Sequence, residues 1–137
     1  MLSKEIKQTL IQNAIQASKQ AYVPYSHYQV GAALLTKSGK IFTGNNIENA
    51  VYPLTLCAER VAVFKAVSDG EMQFEAIAVV TRNGGTPCGS CRQVLNEFGK
   101  ETTVLVADMS GQLLQETSVE ALLPYSFGPE DLDHEGD

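Results

Sequence analysis

Residues 74–81, Phe-Glu-Ala-Ile-Ala-Val-Val-Thr, form an almost continuous apolar run between two helical patterns, and no other stretch limits the fold as strongly. A strand of that composition suits the centre of a sheet covered on both faces. Before it, residues 56–68 are apolar nearly all round and read as a helix buried on most sides, with Thr55 as N-cap and Gly70 at the stop. After it, Cys91, Val94, Leu95 and Phe98 make a helical stripe ended by Gly99.

The remaining elements extend this plan. Ile6, Leu10, Ala14, Ala17 and Ala21 give a first amphipathic helix capped by Ser3 and stopped by Pro24, inside the aromatic loop 22–28. Residues 29–36 and 40–47 read as strands joined by a turn at Lys37-Ser38-Gly39. Short strands follow at 103–107 and 112–116, and Thr117 to Glu120 has capping-box spacing before a short helix ending at Pro124. The order α-β-β-α-β-α-β-β-α predicts an α/β fold: a three-layer α-β-α domain with a mixed five-stranded sheet. No linker or repeat divides residues 1–127, so one domain is expected, followed by a tail at 128–137.

Charge and composition then exclude several classes. A chain of 137 residues with 44% hydrophobic and 19% charged residues can bury a core and is not disordered. No run approaches the roughly 18 apolar residues of a membrane span, and the opening Met1 to Glu5 lacks a signal-peptide core. With three cysteines and no secretion signal, a cytoplasmic protein without disulfides is expected. Five of the 16 acids (Glu130, Asp131, Asp133, Glu135, Asp137) lie in the tail, which leaves 11 acids against 10 bases in residues 1–127. The tail reads as a solvated end, and the near-neutral body argues against nucleic-acid or anionic-membrane partners.

All three cysteines fall at helix starts, where the helix dipole and free N–H groups favour thiolate. The step from Cys88 to Cys91 sets two sulfurs on one side of a helical turn, and Cys57 opens the other helix flanking the central strand. Three thiolates can then converge on a zinc ion with its fourth position left for water. His27 in the aromatic loop and His134 in the tail are poorly placed as a fourth ligand. A redox dithiol, or unrelated buried thiols, is the alternative for Cys88 and Cys91. Glu59, alone on an apolar helix two residues after Cys57, needs either a task or a salt bridge to Arg60 or Arg92. Beside a zinc-held water it is a proton carrier.

Cys57-Ala58-Glu59-Arg60 followed by Pro87-Cys88-Gly89-Ser90-Cys91-Arg92 resembles the zinc-dependent cytidine deaminases, in their small three-cysteine branch of homotetramers. Pro24-Tyr25-Ser26, Val30-Gly31-Ala32-Ala33 and Gly44 to Ala50 extend the resemblance over nearly the whole chain. It implies hydrolytic deamination of cytidine and deoxycytidine in pyrimidine salvage, with one zinc held by Cys57, Cys88 and Cys91 and with Glu59 moving protons. It further implies that Asn46 and Glu48, with Ile47 between them, bind the ribose. Tyr28 is expected to pack on the pyrimidine, Phe127 to close the pocket, and backbone near Ala58 and Cys88 to hold the base edge. Tyr52 and the 24–26 loop are expected to build neighbouring sites across a subunit interface. Three thiolates leave zinc with excess negative charge, which Arg60, three residues after Cys57, together with Arg92, next to Cys91, is expected to draw off through the sulfurs.

Four other readings compete with this one. Another aminopyrimidine, such as a nucleoside antibiotic, is a possible substrate, although an intact Asn46/Glu48 pair favours a plain ribose. A polynucleotide editor conflicts with the near-neutral body. A thiol–disulfide protein leaves Cys57 and Glu59 without roles, and a structural zinc module lacks a fourth ligand.

Overall fold

The computed structural model describes residues 2–132. Five strands form one mixed sheet: β1 (Gly31–Thr36), β2 (Ile41–Asn45), β3 (Phe74–Thr81), β4 (Thr103–Asp108) and β5 (Leu113–Ser118). Their order is β2-β1-β3-β4-β5, with β3 and β4 parallel and every other neighbouring pair antiparallel. The helices are α1 (Lys4–Ser18), α2 (Ala58–Ser68), α3 (Gly89–Glu97) and α4 (Val119–Leu122). No helix among the described residues is long and apolar enough to cross a membrane.

The central run behaves as its composition requires. Alternate β3 residues enter two separate cores, since successive side chains point to opposite faces of a strand. Ile77 and Val79 pack with Ala58, Ala62, Val63 and Ala66 of α2 and Leu95 of α3. Ala76, Ala78 and Val80 pack with Leu10, Ile11 and Ala14 of α1. The sheet is therefore the middle of three layers, with α1 on one face and the remaining helices on the other.

Two strand glycines let the helices lie directly on the sheet. A Cβ on Gly44 in β2 would lie 2.6 Å from the Ala62 backbone nitrogen and closer still to the Ala58 carbonyl. Gly31 stands in the same relation to α1, where a Cβ would collide with the Ala14 carbonyl. The first contact matters for function, because it seats the N-terminal turn of α2.

Several boundaries and faces differ from the expectation. Helix α1 buries Leu10, Ile11, Ala14 and Ser18, while Ile6 is 41% exposed, so the buried stripe is rotated away from the four-residue spacing. The α2 N-cap is Cys57 rather than Thr55, and the α4 N-cap is Ser118, whose hydroxyl accepts from the Ala121 N–H at 3.1 Å. Strand β5 runs on through Thr117, because pairing with β4 continues to Thr103–Ser118 and outweighs the local capping signal. Helix α2 is covered on one side only: Phe64 is 45% exposed and lines an apolar groove with Phe42, Ile47, Leu56 and Val61. Of the tail, residues 128–132 form a turn closed by a hydrogen bond from the Gly128 N–H to the Asp131 carboxylate and tied back by a Lys100–Glu130 bridge of 2.9 Å. Asp133, His134, Glu135 and Asp137 lie outside the described residues.

Replacing Gly44 by Val is expected to push α2 off β2. Overpacking of this kind costs about 1–3 kcal/mol, so the melting temperature should fall by about 5 °C or more. An unchanged thermal unfolding curve would show that α2 is not seated through this glycine.

Candidate active site

Helices α2 and α3 both begin at the edge of the sheet where β3 ends, and their N-termini carry the three cysteines. Cys57 is the N-cap of α2 and Cys88 the N-cap of α3, with no hydrogen bond from either side chain to its own helix. Cys91 follows one turn into α3 and is fully buried. The Sγ atoms of Cys57 and Cys88 are 3.9 Å apart, those of Cys88 and Cys91 are 3.6 Å apart, and all three lie within 4.8 Å of one another. Tetrahedral zinc with Zn–S bonds of about 2.3 Å sets sulfurs about 3.8 Å apart, so the cluster fits that ion in both spacing and donor softness. No fourth His, Cys, Asp or Glu joins the group among the described residues, and His27 stands away from it in the 22–28 loop.

Glu59 lies on the first turn of α2 and is only 4% exposed. None of the ion pairs among the described residues includes it, so neither Arg60 nor Arg92 neutralises it by a salt bridge. Burial, followed by the nearby Cys57 charge, pushes its carboxyl up to about 7, where an acid can both take and release protons at neutral pH. The Cys57 thiol moves the other way, to about 5, chiefly through hydrogen bonding with Cys91 and then through Arg60. Cys91 is raised by that same sharing and by burial.

The two arginines part company. Arg60 donates from Nη2 to the Cys57 sulfur at 3.3 Å. Arg92 touches no sulfur: it donates to the Pro87 carbonyl at 2.7 Å, the Leu122 carbonyl at 2.8 Å and the Thr86 hydroxyl at 3.0 Å. One position after a helical ligand is a turn of about 100° away, which carries Arg92 to the loop before Cys88 instead.

A cavity of about 470 Å³ opens beside Cys57, Cys88 and Glu59. Asn46, Glu48 and Tyr28 line it. The Asn46 side chain accepts from the Val30 N–H at 3.0 Å and donates to the Tyr28 carbonyl at 2.7 Å. The Glu48 carboxylate accepts from the Tyr25 and Ser26 N–H groups at 3.0 and 3.1 Å and from the Ser26 hydroxyl. Those bonds, with the Ser26 hydroxyl foremost, hold its carboxyl below the usual range.

Two of the expected substrate residues stand outside the cavity, and a third can offer only its backbone, as expected. Ile47 alternates outward into the apolar groove on α2, and its N–H and carbonyl are both paired with Leu56. The Ala58 side chain is buried in the core, which leaves only its first-turn N–H to offer. Phe127 is 59% exposed and does not line the cavity; its carbonyl accepts from Gln93 at 2.8 Å and Asn96 at 3.3 Å on α3. Conversely, Val30, Val79, Thr81, Gly85 and Thr86 line the cavity without having been singled out. Thr81 had a usable signal, since it ends a central strand and ligands gather beyond the carboxyl ends of such strands.

An open cluster of three sulfurs with a buried acid beside it defines a zinc-site enzyme on an α/β sheet. Residues 4–107 match the family model described as the cytidine and deoxycytidylate deaminase zinc-binding region, and the chain belongs to that family. It is 52% identical over 129 residues to the cytidine deaminase of Halalkalibacterium halodurans, covering 92% of this chain and 97% of the relative. With the cytidine deaminase of Sporosarcina psychrophila it shares 50% identity over 128 residues, covering 91% and 93%. The crystal structure of cytidine deaminase from Burkholderia pseudomallei matches with a TM-score of 0.84 and 44% identity, covering 92% of this chain and all of that one.

Zinc is thus the cofactor, and the Cys57, Cys88 and Cys91 cluster is the group able to take it. Replacing Arg60 by Ala removes the charge-assisted bond to Cys57 and is expected to weaken zinc affinity about 10–100-fold. Competition against a chromophoric chelator measures this, and undiminished affinity would mean that the guanidinium takes no part in holding the ion.

Proposed function

We propose that the chain catalyses the hydrolytic deamination of cytidine and deoxycytidine to uridine and deoxyuridine, releasing ammonia, as a cytoplasmic enzyme of pyrimidine salvage. The observation that carries this reading is the buried, unpaired Glu59 beside the three sulfurs, in the same cavity as Asn46 and Glu48. When bound, zinc lowers the pKa of a water toward about 7, so that hydroxide is available at neutral pH.

The chain's own groups do the rest. Glu59 takes the proton of that water and delivers it to N3 of the pyrimidine, which makes C4 electrophilic toward hydroxide. It next takes the proton of the hydroxyl added at C4 and passes it to the departing amine, so that ammonia leaves as the C4 carbonyl forms. A carboxyl poised near 7 suits both transfers. Asn46 and Glu48 hold the ribose hydroxyls with the donor and acceptor positions left over from their backbone bonds. An acidic partner suits a neutral diol and repels phosphate, which favours a nucleoside over a nucleotide. Tyr28 packs on the pyrimidine, and the first-turn N–H of Ala58, with backbone near Cys88, holds the base edge.

We further propose that four copies assemble. The outer groove on α2 holds the exposed Phe64 and Ile47, and Val51, Tyr52 and Leu54 are exposed as well, apolar surface of the kind that marks an interface. Tyr52 and the 24–26 loop then face the neighbouring site, as does Phe127.

Glu59→Gln is expected to keep about one zinc per chain while kcat on cytidine falls at least about a hundredfold. Retained turnover, or a metal-free protein with a titratable dithiol and no deaminase activity, would overturn the reading. Sedimentation should give four times the chain mass, and Phe64→Glu should shift it toward smaller species; a wild-type monomer would remove the assembly from the proposal.

A further inference from the structure

Tyr28 is the aromatic wall of the cavity, and its hydroxyl does not point to solvent unpaired. It donates to the Asn83 side-chain oxygen at 2.6 Å. That oxygen also accepts from the Thr81 hydroxyl at 3.3 Å, and the Thr81 hydroxyl in turn accepts from the Gly85 N–H at 2.9 Å. Thr81 is 3% exposed, so its single proton and one lone pair are both used where water cannot replace them. The outer side of the Tyr28 ring is covered by the Arg82 guanidinium, 5.1 Å from the ring centroid. Gly85 lies directly beside the hydroxyl: a Cβ built there would be 3.4 Å from it, in van der Waals contact.

We propose that Asn83 is a positioning residue for the base: it fixes the Tyr28 ring and, through Thr81, ties it to the loop that leads into Cys88. This deepens the deaminase reading and rests on it for the identity of the base. A phenyl ring at residue 28 could be held only by packing, which leaves the swing and tilt of its far end free. The hydroxyl bond removes that freedom before the base arrives, so less order is lost on binding. Thr81 and Gly85 line the same cavity as Tyr28, and the loop continues through Thr86 and Pro87 to Cys88. The wall that stacks on the base and the loop that carries a zinc ligand are therefore one hydrogen-bonded unit. The net worth of one such bond corresponds to a few-fold to about tenfold in affinity.

The test is a double-mutant cycle on the zinc-loaded, full-length enzyme with Asn83→Leu, Tyr28→Phe and the pair. Each single change is expected to raise KM for cytidine about three- to tenfold with kcat within about twofold and zinc content unchanged. The pair should be no worse than either alone, and Asn83→Asp, which keeps the acceptor, should restore most of the lost affinity. An unchanged KM in Asn83→Leu, or effects that multiply in the pair, would overturn the clamp. Wild-type protein with no cytidine turnover would instead overturn the deaminase reading. The clamp is then read without activity, from the tilt of the Tyr28 ring in crystal structures of the wild type and of Asn83→Leu. The ring should leave its wild-type tilt or take more than one orientation in Asn83→Leu, and an unchanged ring in both proteins would reject the proposal.

Discussion

Burial of β3 on both faces is the constraint from which the site follows. A strand whose alternate residues enter two cores must have a helix layer on each side, and here α2 arrives before it and α3 leaves after it. A helix that precedes the strand and packs back along it has its N-terminus at the strand's far end, and a helix that follows the strand starts there. The two N-termini are thus brought together by connectivity, and Cys57 and Cys88 occupy the cap position of each. Gly44 completes the arrangement, because only a residue without Cβ lets the backbone of α2 settle against β2 at Ala58 and Ala62.

The electrostatics follow from the same packing. Glu59 shares the first turn of α2 with the cap cysteine, and the closeness of α2 to the sheet strips water from its carboxyl. Its raised pKa and the lowered one of Cys57 are two outcomes of one environment: the acid has burial and a nearby negative charge, whereas the thiol has donors in Cys91 and Arg60. Opposed shifts in adjacent groups are a common mark of acid–base chemistry. The cavity's polar lining is equally committed in advance. Asn46 joins the end of β2 to the segment before β1, and Glu48 caps the Tyr25–Ser26 turn, so these side chains are oriented by bonds within the chain.

Much of this was legible along the chain, because it depends on local patterns. The apolar run, the hairpin glycine and the helix starts marked by cysteine each carry their signal within a few residues, and together they gave the layer order and the metal cluster. Ile47, Arg92 and Phe127 stand away from the cavity or the sulfurs of their own chain for a common reason: the direction of a side chain depends on what surrounds and pairs with its segment. Ile47 turns outward because its N–H and carbonyl are taken by Leu56. Arg92 turns to Thr86, Pro87 and Leu122 because they offer acceptors on its side of α3. Phe127 is set by Gln93 and Asn96, more than thirty residues away in sequence. The breadth of the apolar surface of α2 was visible in its composition, but which face stays open in one chain was not.

By itself, then, the order of residues determined the strand and helix types, the three-layer architecture and the set of groups able to do chemistry, since periodicity and side-chain chemistry are properties of short segments. Only the tertiary structure decided that Glu59 has no ionic partner, that Arg60 and not Arg92 meets a sulfur, and that the Tyr28 hydroxyl is received by Asn83. The Tyr28–Asn83 contact spans 55 residues and exists only once the sheet has brought both segments to the same edge. The choice between the arginines and the isolation of Glu59 depend on which acceptors and charges the packed helices leave within reach.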